Sequence, residues 1–300
     1  MRLSKNSIFS FLSGGLICLT ACLSIGSSDS EKVMDGRPVV MSMTSSPDIP
    51  ASVIFCGKPI DLTRYNMREG FDREMSSFTY FHSTTMLLIK RANRYFPVIE
   101  PILKANGIPD DFKYLAVIES HLDPRVSSPA RAVGMWQFLE GTGKQYGLTV
   151  TPTVDERCHV AKATEAACKY LADAKARLGS WTLAAASFNA GIAGISRRLE
   201  KQGVNSYYDL FLPAETLRYV FRVLAFKLIA PDPAAYGFRI DPDDYYKPLT
   251  DYHEATVEGR PIDWAAVARS HGTNYKMLRE LNHWIRDYDY DNKAGRSFVI

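Results

Sequence analysis

Apolar residues recur at helical spacing along most of the chain. Leu88, Ala92, Tyr95, Phe96 and Ile99 fall at i, i+4, i+7, i+8 and i+11, a stripe that predicts a core-facing helix opened by Ser83. Pro109, followed by Asp110 and Asp111 at the positive end of a helix dipole, predicts a second helix that ends before Pro124. A third begins near Lys162, carries Ala167, Leu171, Ala174 and Leu178 on one face, and stops at Gly179. After Trp181 a run that is nearly all alanine reaches Asn189 and is closed by Gly191 and Gly194, a composition suited to tight interior packing. The last long helix follows Pro213, shows Leu217, Val220, Phe221, Leu224 and Leu228 on one face, and ends before Pro231. Residues 51–240 therefore read as one mainly α domain. Beyond Asp241 the texture turns to Asp, Pro and Tyr, a linker to a short second module over 250–300.

The N-terminal end departs from this periodicity. Arg2 and Lys5 precede an apolar stretch from Ile8 to Leu19, too short to span a bilayer comfortably, which reads as an export signal over residues 1–21. The stretch ends in Leu19-Thr20-Ala21-Cys22, which resembles a bacterial lipobox; that resemblance implies acylation of Cys22. Several acyl chains hold a protein stably where one is marginal, since each buried methylene contributes roughly 0.8 kcal/mol. Leu23 after the cysteine resembles an outer-membrane rather than an inner-membrane address. Residues 22–50, rich in Ser, Asp, Met and Pro, then serve as a flexible tether.

Composition narrows the function classes. Lys and Arg total 36 against 33 Asp and Glu, and the excess shrinks further when Arg2 and Lys5 leave with the signal, so no footprint of nucleic-acid binding exists. No His-Glu-x-x-His or Cys-x-x-Cys pair occurs, and neither a metal nor a cofactor is implied. Besides Cys18 and Cys22 there are Cys56, Cys158 and Cys168; in an oxidising compartment a Cys158–Cys168 bridge is conceivable if the Cα atoms come within about 7 Å.

Glu119 is the most informative single residue. Phe112, Leu115 and Ala116 precede it by seven, four and three positions, placing its carboxylate toward the apolar side of a helix. It also sits at the helix C-terminal end. Desolvation and the dipole both raise its pKa and keep it protonated for general-acid work. Taken alone, the same pattern also describes a partly buried Glu paired with Arg or Lys.

Its neighbours form an ordered series: Glu119-Ser120, Ser128, Gly134-Met135-Trp136-Gln137-Phe138, Ser187-Phe188-Asn189-Ala190-Gly191 and Glu215-Thr216-Leu217-Arg218-Tyr219-Val220. In this order they resemble the soluble lytic transglycosylase domain of the goose-type lysozyme superfamily, most closely its membrane-bound D type, over residues 55–240. The resemblance implies a lysozyme-like helical fold with Glu119 as sole catalytic acid and base, and Ser128 as a hydroxyl near it or near the reacting sugar. It implies that Gln137 and Asn189 are sugar-binding amides and Tyr219 a phenol close to Glu119. Amides present both donors and acceptors to sugar hydroxyls, and Gly134 lets backbone approach a ligand. Each has a plainer alternative, Gln137 and Asn189 as turn or cap residues and Tyr219 as ordinary core. Trp136 and Tyr146 either stack on sugar rings or pack internally. Two positions depart from the family: Phe188 stands where Tyr is usual, and Arg131 where Gly is common, arguing against an obligatory positive φ there.

The implied reaction uses one carboxylate where most glycosidases use two. Glu119 protonates the oxygen between N-acetylmuramic acid and N-acetylglucosamine, the substrate acetamido group stabilises the developing cation, and Glu119 then deprotonates the muramyl C6 hydroxyl to give a 1,6-anhydro end. Hydrolysis by water, as in a lysozyme, would need a second carboxylate, with Asp123, Asp155 and Glu156 as candidates. Over 250–300, Ile262, Trp264, Val267, Ala268, Gly272-Thr273, Leu278, Leu281-Asn282 and the Ser297–Ile300 run resemble a LysM repeat, a small α+β glycan-binding module; a packing extension without glycan affinity accounts for them equally. Three classes fit: a glycan-cleaving enzyme, a non-catalytic peptidoglycan-binding lipoprotein, and a ligand-binding lipoprotein, whose usual alternating α/β lobes are missing. The enzyme explains the most residues, with peptidoglycan strands and a membrane as partners, no nucleic acid, and a monomeric chain.

Overall fold

The computed structural model describes residues 45–250 and 252–300, together with the two-residue strands β1 (Val33–Met34) and β2 (Arg37–Pro38), which pair antiparallel. The expected signal over 1–21, the acylation at Cys22 and most of the tether over 22–50 lie outside the described residues. The chain divides into two compact units, 1–46 and 47–300. All that follows concerns the second.

That unit opens with a hairpin absent from the sequence expectation: β3 (Ser52–Phe55) and β4 (Lys58–Asp61) pair with Val53 opposite Ile60. Val53, Phe55 and Ile60 turn inward. The connecting pair Cys56 and Gly57 takes φ of 50° and 77°, the left-handed backbone that lets a two-residue turn follow the strand twist. Asp111 fastens the hairpin to the helical body. Its carboxylate accepts from the Cys56 backbone N–H at 2.6 Å and from Lys227 Nζ at 2.7 Å.

Eight helices follow: α1 (Tyr65–Tyr80), α2 (His82–Ala105), α3 (Lys113–Ser120), α4 (Glu140–Gln145), α5 (Val160–Leu178), α6 (Trp181–Ala190), α7 (Ile192–Gln202) and α8 (Ala214–Ile229). The mainly α reading holds. Helix α2 buries Leu88, Ala92 and Ile99 as its stripe predicts, but it starts from Phe81 rather than from a Ser83 cap and runs on through Pro97 and Pro101. Pro109 stands just outside a 3-10 turn, Asp110–Phe112, that leads into α3. Gly179 ends α5 in the left-handed conformation. Ser180 caps α6, its Oγ accepting from Leu183 N–H at 3.1 Å, and Ala184, Ala185 and Ala186 are fully buried where side chains must be small. Gly191 ends α6, whereas Gly194 lies inside α7, a helix the sequence reading missed.

The C-terminal segment folds as β5 (Thr256–Val257), β6 (Ile262–Asp263), α9 (Trp264–Ser270), α10 (Tyr275–Leu281), β7 (Asp289–Tyr290) and β8 (Phe298–Val299). Strands β5 with β8 and β6 with β7 pair antiparallel. Trp264, Trp284 and Phe298 form its aromatic centre, with Trp264 edge-on to Trp284 at 5.6 Å. The apolar cluster continues into the helical body through Val133, Val154 and Cys158. Two backbone hydrogen bonds, Asp155 N–H to Trp284 O and Arg286 N–H to Thr153 O, both 2.9 Å, join the two parts edge to edge. The segment expected as a linker lies against α2. Asn93 Nδ2 donates to Tyr246 O at 3.2 Å and Arg94 Nε to Lys247 O at 3.1 Å.

Cys56, Cys158 and Cys168 are all free thiols, which corrects the Cys158–Cys168 bridge. Cys158 packs toward the C-terminal segment, its Sγ 3.6 Å from Arg286 Nη1, while Cys168 faces Ile102 on α2. Among the described residues no helix is long and apolar enough to cross a membrane.

Candidate active site

Helix α3 delivers Glu119 in its last turn. Phe112, Leu115 and Ala116 are completely buried beneath it. The chain then reverses through His121 and Leu122, both at φ of 54°, while Ser120 Oγ donates to Met135 O at 2.8 Å and fixes α3 against the loop that follows. Glu119 keeps a narrow solvent-facing edge but is crowded by protein. Burial drives its pKa up from 4.5 to about 7, opposed by a hydrogen bond from Tyr219 and by the Arg222 charge, and reinforced by the Glu215 carboxylate. Tyr219 Oη donates to Glu119 Oε1 at 2.5 Å. The phenol itself is held far above its usual range, chiefly by burial and then by Glu119, so it remains a donor at any working pH.

Residues 126–138 form a tight loop closed by bridges from Ser127 to Val133 and from Val133 to Phe138. Gly134 is required here by protein, not by a ligand: its φ is 87°, and a Cβ would lie 1.8 Å from Arg157 O. Arg131 also adopts a positive φ of 61°, against the expectation from its identity, and its carbonyl accepts from Arg157 Nη1 at 3.2 Å. Ser128 Oγ accepts from Ala132 N–H at 3.1 Å and shapes this loop; no hydrogen bond joins it to Glu119.

A groove of about 530 Å³ is lined by Gln137, Tyr146, Tyr170, Phe188 and Asn189, among others. Gln137 spends both amide hydrogens on Val126 O and Gly134 O, at 3.0 and 2.9 Å, so that Oε1 is the atom without a protein partner. Asn189 Oδ1 accepts from Thr216 Oγ1 at 2.7 Å, and its Nδ2 lies 3.5 Å from Glu215. Tyr146 donates to Asp173 at 3.0 Å. Trp136 belongs to the interior, correcting the sugar-stacking option. It is fully buried, with Nε1 donating to Thr164 Oγ1 at 2.9 Å and its ring 5.9 Å from Phe188.

Asp123, Asp155 and Glu156 are occupied elsewhere. Arg125 clasps Asp123, Arg157 pairs with Asp155 at 2.8 Å, and Glu156 receives Lys162 and Arg296 at 2.6 and 3.1 Å. The carboxylate that acts on Glu119 is Glu215, which sequence reasoning quoted within a motif but gave no role. Its spacing from Tyr219, one helical turn, is the signal that was available. Arg222 was missed likewise.

Comparison with known proteins adds a likeness to this geometry. Residues 97–211 match the model of the Transglycosylase SLT domain. That match covers less than half of the chain. It holds Glu119 and the groove, while Tyr219 follows on α8 just outside the matched span. Residues 253–300 match the Soluble lytic transglycosylase C-terminal LysM-like domain. Among curated relatives, "Membrane-bound lytic murein transglycosylase D" of Escherichia coli K12 is 28% identical over 225 residues, covering 73% of this chain and 48% of the relative. "Membrane-bound lytic murein transglycosylase F" of Klebsiella pneumoniae is 26% identical over 168 residues, 51% of this chain and 31% of the relative. The chain thus spans about half the length, or less, of these curated relatives.

Proposed function

We propose that this protein is a peptidoglycan lytic transglycosylase that cleaves the β-1,4 bond between N-acetylmuramic acid and N-acetylglucosamine and leaves 1,6-anhydromuramyl ends, in cell-wall remodelling or turnover. The observation that carries this reading is the Glu119–Tyr219 pair at 2.5 Å, with the carboxyl poised at about 7. A group titrating near neutrality serves equally as acid and as base, which a one-carboxylate mechanism demands. Protonated Glu119 donates to the glycosidic oxygen. The resulting carboxylate, steadied by the Tyr219 hydroxyl, takes the proton from the muramyl C6 hydroxyl as that oxygen closes on C1. Gln137 Oε1, Asn189 and Tyr146 line the groove as sugar-binding groups, and Ser128 acts through loop shape. Acylated Cys22 would hold the enzyme on the outer membrane facing the periplasm, where it works as a monomer without metal or cofactor.

Glu215 favours one other reading. A second carboxylate on the same side of α8 as Tyr219 is what a lysozyme-like hydrolase needs to activate water. Mass spectrometry of peptidoglycan digested by the protein, beside Glu119→Gln, separates the outcomes. Anhydromuramyl fragments absent from the variant digest support transglycosylation. Reducing muramyl ends replace it with hydrolysis, and binding without cleavage by either protein leaves a scaffold.

A further inference from the structure

The chain leaving Glu119 enters a crevice between the SLT domain and the LysM-like module. Asp123 and Arg125 on its wall stand four and six residues beyond Glu119, within about 14–21 Å even if that segment were fully extended. The crevice holds about 260 Å³. One side carries three guanidinium groups, Arg91, Arg94 and Arg125, and the other is supplied by α10 with the exposed side chains of Met277 and Leu281. Neither part forms this space alone.

The cations there are unequally engaged. Asp123 takes Arg125 through both oxygens, at 3.0 and 3.1 Å, and stands 3.8 Å from Arg91 Nη2. Arg91 Nη1 donates to His121 O at 2.8 Å. Arg94 differs: its Nε is fixed by Lys247 O, its guanidinium lies 5.2 Å over the Tyr246 ring, and no carboxylate meets its two terminal nitrogens. Arg94 is thereby preorganised with free N–H groups in a crevice that Met277 and Leu281 also line. Against the three arginines the crevice sets Asp123 and Glu280, leaving a net positive charge; burial lowers the pKa of His283.

We propose that this crevice is a subsite for the anionic peptide stem borne by the muramyl residue at the cleaved bond, with Arg94 binding a stem carboxylate and Met277 and Leu281 covering its aliphatic part. The inference rests on the peptidoglycan reading above. A planar guanidinium with free donors suits a carboxylate, and the stem leaves the sugar ring that must lie at Glu119, so a stem site has to be within a short reach of the acid. The docked LysM-like module then acts as one wall of substrate recognition.

The test compares the full chain with Arg94→Gln on glycan strands carrying peptide stems and on strands stripped of stems by an amidase. The ratio of kcat/KM for stem-bearing over stripped strands should fall about tenfold in the variant, through KM, as expected for loss of a charge-assisted contact. An unchanged ratio, including an equal loss on both substrates, overturns the proposal. Titration of the free stem tetrapeptide by NMR provides a readout that needs no cleavage. Shifts at α10 that weaken with salt and vanish in Arg94→Gln support the site even if the protein cuts no glycan, whereas no binding to a catalytically active protein removes it.

Discussion

Replacing Tyr219 with Phe isolates the contact that sets the acid. The hydroxyl donates to the Glu119 carboxylate at 2.5 Å and favours its charged form, so its removal must raise the Glu119 pKa above about 7. A hydrogen bond to a charged group contributes about 1.5–3 kcal/mol, and 1.36 kcal/mol corresponds to one pH unit, which gives a rise of about one to two units. In the reaction proposed above the first step needs protonated Glu119, so kcat/KM of the native protein should decline above pH 7 and that decline should move to about pH 8–9 in Tyr219→Phe. The maximal rate should fall as well, because the carboxylate that collects the C6 proton loses its orienting partner. The assay is the pH dependence of kcat/KM on glycan strands, with NMR titration of the labelled Glu119 carboxyl as a check without substrate. A basic limb that stays in place, or moves down, would refute the assignment of Tyr219 as the group holding the acid near neutrality.

Three further outcomes are expected. The Glu119 pKa is raised on folding from 4.5 to about 7, so its contribution to stability is intact below 4.5 and is lost as pH rises through 7; Glu119→Gln should therefore gain about 2–3 kcal/mol over the native protein between pH 4.5 and 8 in denaturant titrations, and a pH-independent difference would contradict the burial argument. Gly134→Ala forces a Cβ onto Arg157 O at φ of 87° and should cost about 3–5 kcal/mol, measured by the same titrations; a cost below about 1 kcal/mol would show that the loop yields. A chain ending at residue 249 exposes Val133, Val154 and Cys158 and should melt about 10–20 °C lower, while an unchanged Tm would mean that the C-terminal segment adds nothing to the core.

The helices that were legible in the sequence are those whose apolar stripe runs unbroken between clear stop signals, as in α2, α5 and α8. Helix α1 has a stripe too, Met67, Phe71, Met75 and Phe78, but charged neighbours obscure it and Glu74 is buried through pairing with Arg218 on α8, which no local pattern announces. The hairpin hides because its left-handed turn begins at Cys56, a residue without the usual turn chemistry. Glu119 and Tyr219, 100 residues apart, were brought together by motif order rather than by spacing. Trp136 shows the opposite limit: in a loop there is no period to tell an inward ring from an outward one, and only the bond to Thr164 decides. The docking of the LysM-like module depends on contacts such as Asp155 with Trp284 that join distant parts of the chain.

Arg157 has a consequence for how such a two-part fold is rebuilt. Its carbonyl lies under Gly134, its guanidinium holds the carbonyls of Arg131 and Phe138, and its partner Asp155 supplies the N–H that meets Trp284. The loop that carries Gln137 and the C-terminal module therefore share one set of fastenings. A designer who wished to exchange this module for another glycan binder would have to transplant the seam along with it, and a variant of the module that shifts the Trp284 edge should be read first as a change in the groove wall.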